Sequence, residues 1–320
     1  MRRPHDVPAH YLWAGLDFIF DRRGEPFFLE ANRCSHMLQE YVAEYGNEEP
    51  FRVIARAMNE AGGVPCLLWR KKDLTPGHDE NAHWIGGRLS KYLDRPPAIT
   101  LTENNPAERA VLLTREGTWV RPGSLFRWWY PLPWSMERSG VRVVNPNALW
   151  VVVRDKWESY RRLAEAREFR VPWSAPITDA SEAAGLIAAH PEHFADGFVV
   201  KPRTGFGGHG VEVGPPGSVP RAVPPNAMLC QRIVPPLDEG RYWDVRVLVM
   251  AGRYCGGLVR TSDRPVTNVF QGGRTSRLPD ALAARLEPAA LEAVRLLDEA
   301  AAAIHALAEP PDSPLTRVQW

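Results

Sequence analysis

The chain has 320 residues, 44% of them hydrophobic, enough to bury a substantial core spread over two or three subdomains. Its formal charge is +1, with 39 Lys and Arg against 38 Asp and Glu, so no global field draws it to nucleic acid or an acidic membrane surface. The four scattered cysteines (Cys34, Cys66, Cys230, Cys255) form no C-x-x-C pair and lack histidines at zinc spacing, which argues against structural disulfides or zinc and fits a reducing cytoplasm.

The first residues, MRRPHDVPAHYLW, are basic without the apolar run of a signal peptide. Nowhere does an uninterrupted apolar stretch approach the roughly eighteen residues that span a membrane. A cytoplasmic protein with no membrane partner is expected. Residues 15–32, GLDFIFDRRGEPFFLEAN, read as a β-hairpin, with two apolar and aromatic runs flanking the turn Asp21-Arg22-Arg23-Gly24. Residues 50–62 carry a helical pattern (Phe51, Ile54, Ala55, Met58) stopped by Gly62-Gly63. From 64 to 148 the short apolar runs VPCLLW, AVLLT and VRVVN suggest a small α/β subdomain. The 30 prolines concentrate in 122–134, 214–225 and 309–314, which read as loops or boundaries. Within the first of these, Phe126, Trp128, Trp129, Tyr130 and Trp134 either anchor a loop to the core, the commoner role, or wall an acceptor site.

A helix is expected over 155–168, and Thr178 or Asp179 can cap another running to about 189. Strand-like segments follow at 197–202, 211–213, 227–234, 244–251 and 253–260. The Ala- and Leu-rich stretch 286–307, with Pro288 suited to a first turn, is the clearest helix.

The segment Thr204 to Gly210 holds a literal G-x-G-x-x-G at Gly205, Gly207 and Gly210, with Gly208 between. A dinucleotide fingerprint requires a helix after it, and here a second strand and Gly-Pro-Pro follow. No G-x-x-x-x-G-K-[ST] occurs, so there is no standard P-loop. A glycine turn between two strands serves either as a plain hairpin turn or as a flap over a triphosphate, because residues without a Cβ let backbone N–H groups approach the oxygens. Its neighbours favour the flap. Lys201 ends the strand before it, Asp155-Lys156 supplies a second lysine, and Gln231-Arg232-Ile233-Val234 followed by Pro-Pro has the form of a hinge whose backbone can pair with adenine.

The ordered set NP…DK, VVKPRTGFGGHGV, QRIV, DVRVLVMAGRYCGGLVR and TNVFQGG, over residues 141–275, resembles the ATP-binding core of the ATP-grasp enzymes. The resemblance implies that Lys156 and Lys201 bind nucleotide phosphates together with the loop of Gly205, Gly207, Gly208 and Gly210. It implies that Gln231, Arg232, Ile233 and Val234 line the adenine pocket, and that Arg246 and Arg260 face the γ-phosphate and the developing acyl phosphate. Asn268 with Gly272 and Gly273 matches the segment that closes over the reacting carboxylate.

Phosphoryl transfer between anions needs a divalent metal, and that family supplies its carboxylates after a closing helix. Here the helix at 286–307 is followed by no strand pair with a Glu-x-Asn, and Leu315 to Trp320 hold no carboxylate. GLDFIFDRRGEPFFLEAN resembles the family's terminal motif, so Asp17, Glu30 and Asn32 match its metal-binding positions. Glu30 and Asn32 share a strand face by their spacing, and a turn with an even number of residues centred on Arg22-Arg23 sets Asp17 opposite Phe28 and on that face. Arg33 and Ser35 follow as substrate contacts, while His36 and Cys34 have no chemical role assigned by sequence.

The resemblance thus implies an α+β ATP-grasp fold, two α+β subdomains gripping ATP, with a small α/β pre-ATP-grasp domain and a circularly permuted order. Residues 1–48 would complete the C-terminal subdomain, 49–148 the small domain, 149–235 the lysine and glycine-loop subdomain, and 236–320 the C-terminal subdomain with its closing helix. The implied cofactors are ATP and Mg²⁺, with Mn²⁺ as an alternative. The implied partners are a small-molecule carboxylate (an amino acid or short peptide) and an amine, joined as an amide through an acyl phosphate. A homodimer in which the hairpin completes a neighbour's site is a rival to the permuted monomer. A phosphotransferase on the same fold, or a nucleotide-binding scaffold without turnover, are rival activities.

Overall fold

The computed structural model describes residues 10–32, 37–70, 80–102, 111–127, 132, 134–205, 207–238, 240–267 and 272–307. The expectations placed on Arg33, Ser35, Asn268, Trp128, Trp129, Tyr130 and the last proline cluster fall outside these residues.

The chain begins with a hairpin, β1 (Trp13–Phe20) and β2 (Pro26–Asn32), and the helices α1 (Leu38–Tyr45) and α2 (Glu49–Glu60). A small α/β unit follows: β3 (Val64–Trp69), α3 (Glu80–Ser90), β4 (Ala98–Leu101), β5 (Leu112–Leu113), β6 (Trp119–Val120), β7 (Pro122–Arg127), α4 (Trp134–Arg138) and β8 (Arg142–Val143). Then come α5 (Asn147–Arg154), α6 (Lys156–Leu163), β9 (Ser174–Ile177), α7 (Ala180–Ala189), β10 (Phe198–Pro202), β11 (Glu212–Gly214) and β12 (Ala227–Gln231). The chain closes with β13 (Tyr242–Met250), β14 (Arg253–Ser262), β15 (Arg274–Arg277) and α8 (Asp280–His305). Among the described residues no helix is long and apolar enough to cross a membrane.

Three sheets of four or more strands organise these elements. The largest has the order β15-β14-β13-β1-β2, so the N-terminal hairpin is built into a sheet whose other strands come from the last quarter of the same chain. The hairpin therefore completes its own chain's sheet, with Asp17 opposite Arg246 and Gly15 opposite Leu248. A second sheet, β11-β10-β12-β9, is antiparallel throughout, and the third, β4-β3-β7-β8, is parallel.

Strand alternation divides the large sheet into two unlike faces. Ala14, Leu16, Phe18 and Phe20 of β1 and Val245, Val247 and Val249 of β13 point into one core. There they meet α8 through Leu286, Ala289, Ala290, Ala293, Val294, Leu297 and Ala301, a stripe at helical spacing whose alanines let the helix lie close. The other face carries Trp13, Leu248, Met250 and Leu258 packed against Leu38, Tyr41, Phe51 and Ile54 of α1 and α2, and its polar remainder forms the site described below.

The small unit is fastened to this sheet by Asn145. Its backbone is left-handed (φ 57), and its side-chain amide accepts from Leu12 N and Trp13 N at 3.0 Å and donates to Trp13 O at 2.7 Å. The Arg127 guanidinium, buried from β7, donates to Asn145 O at 2.6 Å and to Asn147 Oδ1 at 2.6 Å.

Several expectations are corrected. Residues 122–127 form a strand between β3 and β8, not a loop: Pro122 stands at the first strand position, where its missing N–H costs nothing, and Leu125 and Phe126 are core residues. Phe126 packs on Trp13 at a centroid distance of 5.1 Å and therefore walls no acceptor site. The last helix begins at Asp280, so Pro288 lies inside it and removes one backbone hydrogen bond rather than opening the first turn. β12 ends at Gln231, three residues short of Val234, and the hinge segment is irregular. Helix α2 ends next to Gly62-Gly63 as expected, and α7 is capped by Asp179, whose carboxylate accepts from Glu182 N at 2.9 Å.

Gly62 and Gly63 have φ of 69° and 67°, and they lie directly against Gly123 of β7. A Cβ at 123 would fall on the Gly62 carbonyl and 2.8 Å from the Gly63 Cα, both backbone atoms that cannot swing aside. Gly123→Ala should therefore destabilise the chain by about 2 kcal/mol or more. Urea unfolding tests this: the midpoint should fall with the slope unchanged, and an unshifted midpoint would mean that the close approach is not real.

Candidate functional site

The polar face of the large sheet is a row of charges set by cross-strand register. Glu30 of β2 stands opposite Asp17 of β1, which stands opposite Arg246 of β13; one step along, Asp244 of β13 stands opposite Arg260 of β14. Directly opposed side chains share a face a few ångströms apart. Arg246 donates from Nε and Nη2 to the two Asp17 oxygens, both at 2.7 Å, a bidentate pair between residues 229 positions apart. Arg260 Nη2 lies 3.0 Å from Asp17 Oδ2, and the same guanidinium donates to Asp244 at 2.6 and 2.7 Å. Thr267 Oγ1 completes the Asp244 shell at 2.5 Å.

The hairpin register differs from the sequence expectation. Phe18 pairs with Phe28 and Ile19 with Phe27, but Asp17 pairs with Glu30, so the register shifts by one residue at Leu29. The loop is five residues, Asp21 to Glu25, closed by Gly24 N donating to Asp21 O at 2.9 Å. An odd loop alone would have put Glu30 on the apolar face. The five-residue loop sets Phe28 opposite Phe18 in the core, and the bulge at Leu29 returns Glu30 to the face of Asp17.

Asp17, 4% exposed, is the most enclosed of these carboxylates. Burial alone would raise its pKa, but the Arg246 and Arg260 guanidiniums overcome that and hold the carboxyl below the usual aspartate range. At Asp244 burial wins: it and the nearby Asp17 charge push the pKa up despite Arg260, so acid reaches Asp244 before Asp17. Arg260 resists the effect of burial because Asp17 and Asp244 hold its charge in place.

The lysines approach the same row from the other side. Lys156, the first residue of α6, lies 3.4 Å from Glu30 Oε1 and donates to Gly205 O at 2.8 Å. Asp155 caps α6 by accepting from Trp157 N at 2.9 Å and also takes the Arg203 guanidinium, with Nε at 3.1 Å. Lys201, near the end of β10, donates to Tyr160 Oη at 2.8 Å and lies 3.5 Å from Leu29 O. The glycine loop joins the antiparallel neighbours β10 and β11, and Gly207, Gly208 and Gly210 have φ of 71°, 73° and 71°, a backbone that residues with a Cβ rarely adopt. At the hinge, Gln231 N donates to Trp173 O at 2.7 Å, while Arg232, Ile233 and Val234 are partly buried. Gly272 and Gly273 precede β15, whose Thr275 pairs with Arg260. Among the expected residues, Asp17, Glu30, Arg246, Arg260, Lys156 and Gly205 are linked in one row, and Lys201 joins it through Tyr160 and Leu29. Asn32 lies on the same face opposite Gly15, whereas Gln231 bonds Trp173 instead.

Glu30 and Asn32 offer oxygens suited to a hard cation. One buried terminus of the Asn32 amide, assigned as Nδ2, has no hydrogen-bond partner, and Glu30 keeps 29% side-chain exposure beside Lys156. Asp17 adds an ionised oxygen pair already engaged by two arginines. Among the described residues no three His, Cys, Asp or Glu side chains gather as a metal site, since this face mixes an amide with carboxylates and guanidiniums. The donor chemistry fits Mg²⁺.

Three contributors were missed from sequence. Asp244 shares the D-V-R segment with Arg246, and an acid two residues from an arginine on a strand was the available signal. Thr267 gave none. Tyr160 lies four residues after Lys156 on the expected helix, and that spacing was its only signal.

No family model matches the sequence, and no curated protein matches it significantly. Among solved structures, one from Methylobacillus flagellatus KT, provisionally named a gamma-glutamylcysteine synthetase, is similar with a TM-score of 0.53 at 11% identity, covering 92% of this chain and 89% of that one. At that identity the likeness is one of fold. The D-cycloserine synthetase DcsG is matched at a TM-score of 0.42 and 15% identity, over 78% of this chain and 84% of its own.

Because its pKa is depressed in the folded chain, Asp17 stabilises the fold above the unfolded carboxylate pKa, and that contribution disappears as pH falls through the lower folded value. Asp17→Asn should cost about 3 kcal/mol at pH 7, since it strips charge from two buried guanidiniums. Urea unfolding of both proteins from pH 7 down to about pH 3 should show the gap closing only below about pH 4. A gap that stays constant with pH would break the assignment.

Proposed function

We propose that the chain is an ATP-dependent carboxylate–amine ligase of the ATP-grasp type, with its metal-facing acids supplied by the N-terminal hairpin. One observation carries the reading. Asp17 and Glu30, far from the cationic motifs in sequence, stand in one charge row with Arg246, Arg260 and Lys156. A site for phosphoryl transfer needs this pairing of anionic metal ligands with guanidinium and ammonium groups. The fold shared with a protein provisionally named as a synthetase agrees with it.

In this reading the order of the units is circularly permuted, with residues 1–48 completing the subdomain formed by 236–320, while 49–148 form the small domain and 149–235 carry the lysines and glycine loop. Lys156 and Lys201 bind the nucleotide phosphates, the amides of the loop through Gly205, Gly207, Gly208 and Gly210 cover them, and Gln231 to Val234 receive adenine. Asp17, Glu30 and Asn32 form the metal face. Mg²⁺ bound there would neutralise phosphate charge. The substrate carboxylate attacks the γ-phosphorus as its bond to the bridging oxygen breaks, giving an acyl phosphate and ADP. The amine then adds to the acyl carbon, loses a proton and expels phosphate. Arg246 faces one carboxylate where Arg260 faces two, so Arg246 is the better placed to meet the transferred phosphoryl group. Asn268, Gly272 and Gly273 are assigned to closing over the acceptor, and Arg33 and Ser35 to substrate contact. The substrates are a small carboxylate, such as an amino acid or short peptide, and an amine.

The test is a screen of ATP turnover across amino acids and small amines, with hydroxylamine present to trap an acyl phosphate. ADP with a hydroxamate is the expected product pair. AMP, or tight ATP binding without substrate-dependent turnover, overturns the ligase reading. In the active pairing, Glu30→Gln should lower turnover by about 100-fold or more while leaving the thermal midpoint nearly unchanged, because Glu30 is only partly buried. Full activity in that variant would sink the metal assignment.

A further inference from the structure

The register of the hairpin depends on one residue. Leu29 has no cross-strand partner, because Phe18 pairs with Phe28 while Asp17 pairs with Glu30. A regular ladder would set Asp17 against Leu29 and turn Glu30 toward the core face that holds Phe28 and Leu16. A bulge bends the strand and leaves backbone groups without ladder partners, so something outside the ladder must hold it.

β2 is an edge strand, and its free side is covered in two pieces. Up to Phe28 the cover is Arg170, which accepts from Phe28 N at 2.8 Å and donates to Pro26 O at 2.9 Å. At the bulge the cover is Tyr160, whose hydroxyl donates to Leu29 O at 2.9 Å. The Tyr160 hydroxyl oxygen in turn accepts from Lys201 Nζ at 2.8 Å. Burial pushes the Tyr160 phenol far above its usual range, so it keeps its proton and remains a donor to the carbonyl. The ring is held edge-on to Phe28 at 6.0 Å between centroids.

Tyr160 and Lys156 are four residues apart on α6 and so share one helix face. Lys156 meets the Glu30 carboxylate at 3.4 Å, and Tyr160 meets the carbonyl of the residue before it. One helix turn thus grips the bulge through both its side chain and its backbone.

We infer that Tyr160 is a positioning residue of the phosphoryl-transfer site, its hydroxyl fixing the Leu29 bulge that sets Glu30 beside Asp17 and holding Lys201 next to that bulge. This rests on the proposed ligase reading of the site. Tyr160 touches neither nucleotide nor metal in this scheme. It acts by keeping two groups that do touch them, Glu30 and Lys201, in one geometry.

The experiment uses the full chain and measures Mn²⁺ affinity in the presence of a non-hydrolysable ATP analogue, by electron paramagnetic resonance of free Mn²⁺. Tyr160→Phe removes a single oxygen and should weaken Mn²⁺ about tenfold, the usual order for groups that orient a metal ligand. In a Glu30→Gln background, where the oriented carboxylate is gone, the same substitution should change Mn²⁺ affinity by less than about twofold, as coupled residues require. A residue that only packs the core would lower the unfolding midpoint in both backgrounds and leave Mn²⁺ affinity unmoved. Equal losses in both backgrounds, or no loss in either, overturn the inference. Should Tyr160→Phe fold poorly, 4-aminophenylalanine at 160 keeps a donor at the same point, and Mn²⁺ affinity should stay within about threefold of the parent; a larger loss in that folded protein overturns the inference too. A parent chain that binds neither the analogue nor Mn²⁺ overturns the ligase reading and this inference with it, a result distinct from an intact parent with uncoupled variants.

Discussion

The Asp17 carboxylate, in the second strand of a five-stranded sheet, is almost cut off from water, and its place between two guanidiniums answers that constraint. Left alone, a buried carboxylate costs several kcal/mol even after relaxation. A single guanidinium in contact returns about 4 kcal/mol at the effective dielectric of a protein, so two of them outweigh the burial. That is why the carboxyl sits below its usual range although it is almost wholly enclosed. The requirement propagates outward. Arg260, enclosed in turn, needs Asp244 as a second counterion, and Asp244 needs the Thr267 hydroxyl. The two parts of the chain are held together by this network as well as by the β1–β13 ladder.

The same sheet separates stability from chemistry by alternation. Each residue of β1 that points at α8 is apolar, and Asp17 and Gly15 fall on the reverse face. Trp13, Leu248, Met250 and Leu258 close the other end of that reverse face against α1 and α2, so the polar row is confined to one end of the sheet. Asn145 anchors this apolar end by binding the backbone of Leu12 and Trp13, and Arg127 holds Asn145 in its left-handed conformation from the small unit. The register of β1, and with it the position of Asp17, is therefore fixed at the Trp13 end by Asn145 and at Asp17 itself by the two arginines.

Much of this was legible in the sequence, for reasons that are local. The hairpin, the stop of α2 at Gly62-Gly63, the cap at Asp179 and the glycine turn between two strands all follow from residue types acting within a few positions. The spacing of Glu30 and Asn32 fixed their common face whatever the turn did. What escaped depends on residues distant in sequence. The register at Asp17 turns on a bulge whose carbonyl is taken by Tyr160, 131 residues away, and periodicity cannot count an inserted residue. The segment 122–127 looked like a loop because it is flanked by prolines, yet Pro122 at a strand start obstructs nothing, and the glycine pair opposite Gly123 makes room for the backbone. Asp244 stood inside a segment already singled out, but its partner is on the next strand and only pairing reveals it.

The geometry gives α6 a position between the two halves of the site. Its cap, Asp155, holds Arg203 at the stem of the glycine loop, and the Lys156 backbone N–H donates to Arg203 O at 2.9 Å. The Lys156 side chain then bonds Gly205 O on one side and meets Glu30 on the other. One turn later Tyr160 ties the β2 bulge to Lys201. The polar links that reach Leu29 and Glu30 from the glycine-loop sheet pass through this helix or through Lys201, which leans on it. The turn end of the hairpin is tied separately by Arg170 and by the Arg22–Asp196 pair at 3.0 Å. A displacement of the glycine loop thus reaches Glu30 through hydrogen bonds at the N-terminus of α6, where Arg203 O and the Asp155 carboxylate take the backbone N–H groups of Lys156 and Trp157. In the proposed ligase reading, phosphate groups drawn to Lys156 and Lys201 would pull on side chains that contact Glu30 and the Leu29 bulge, and so would couple filling of the nucleotide half to ordering of the acidic half.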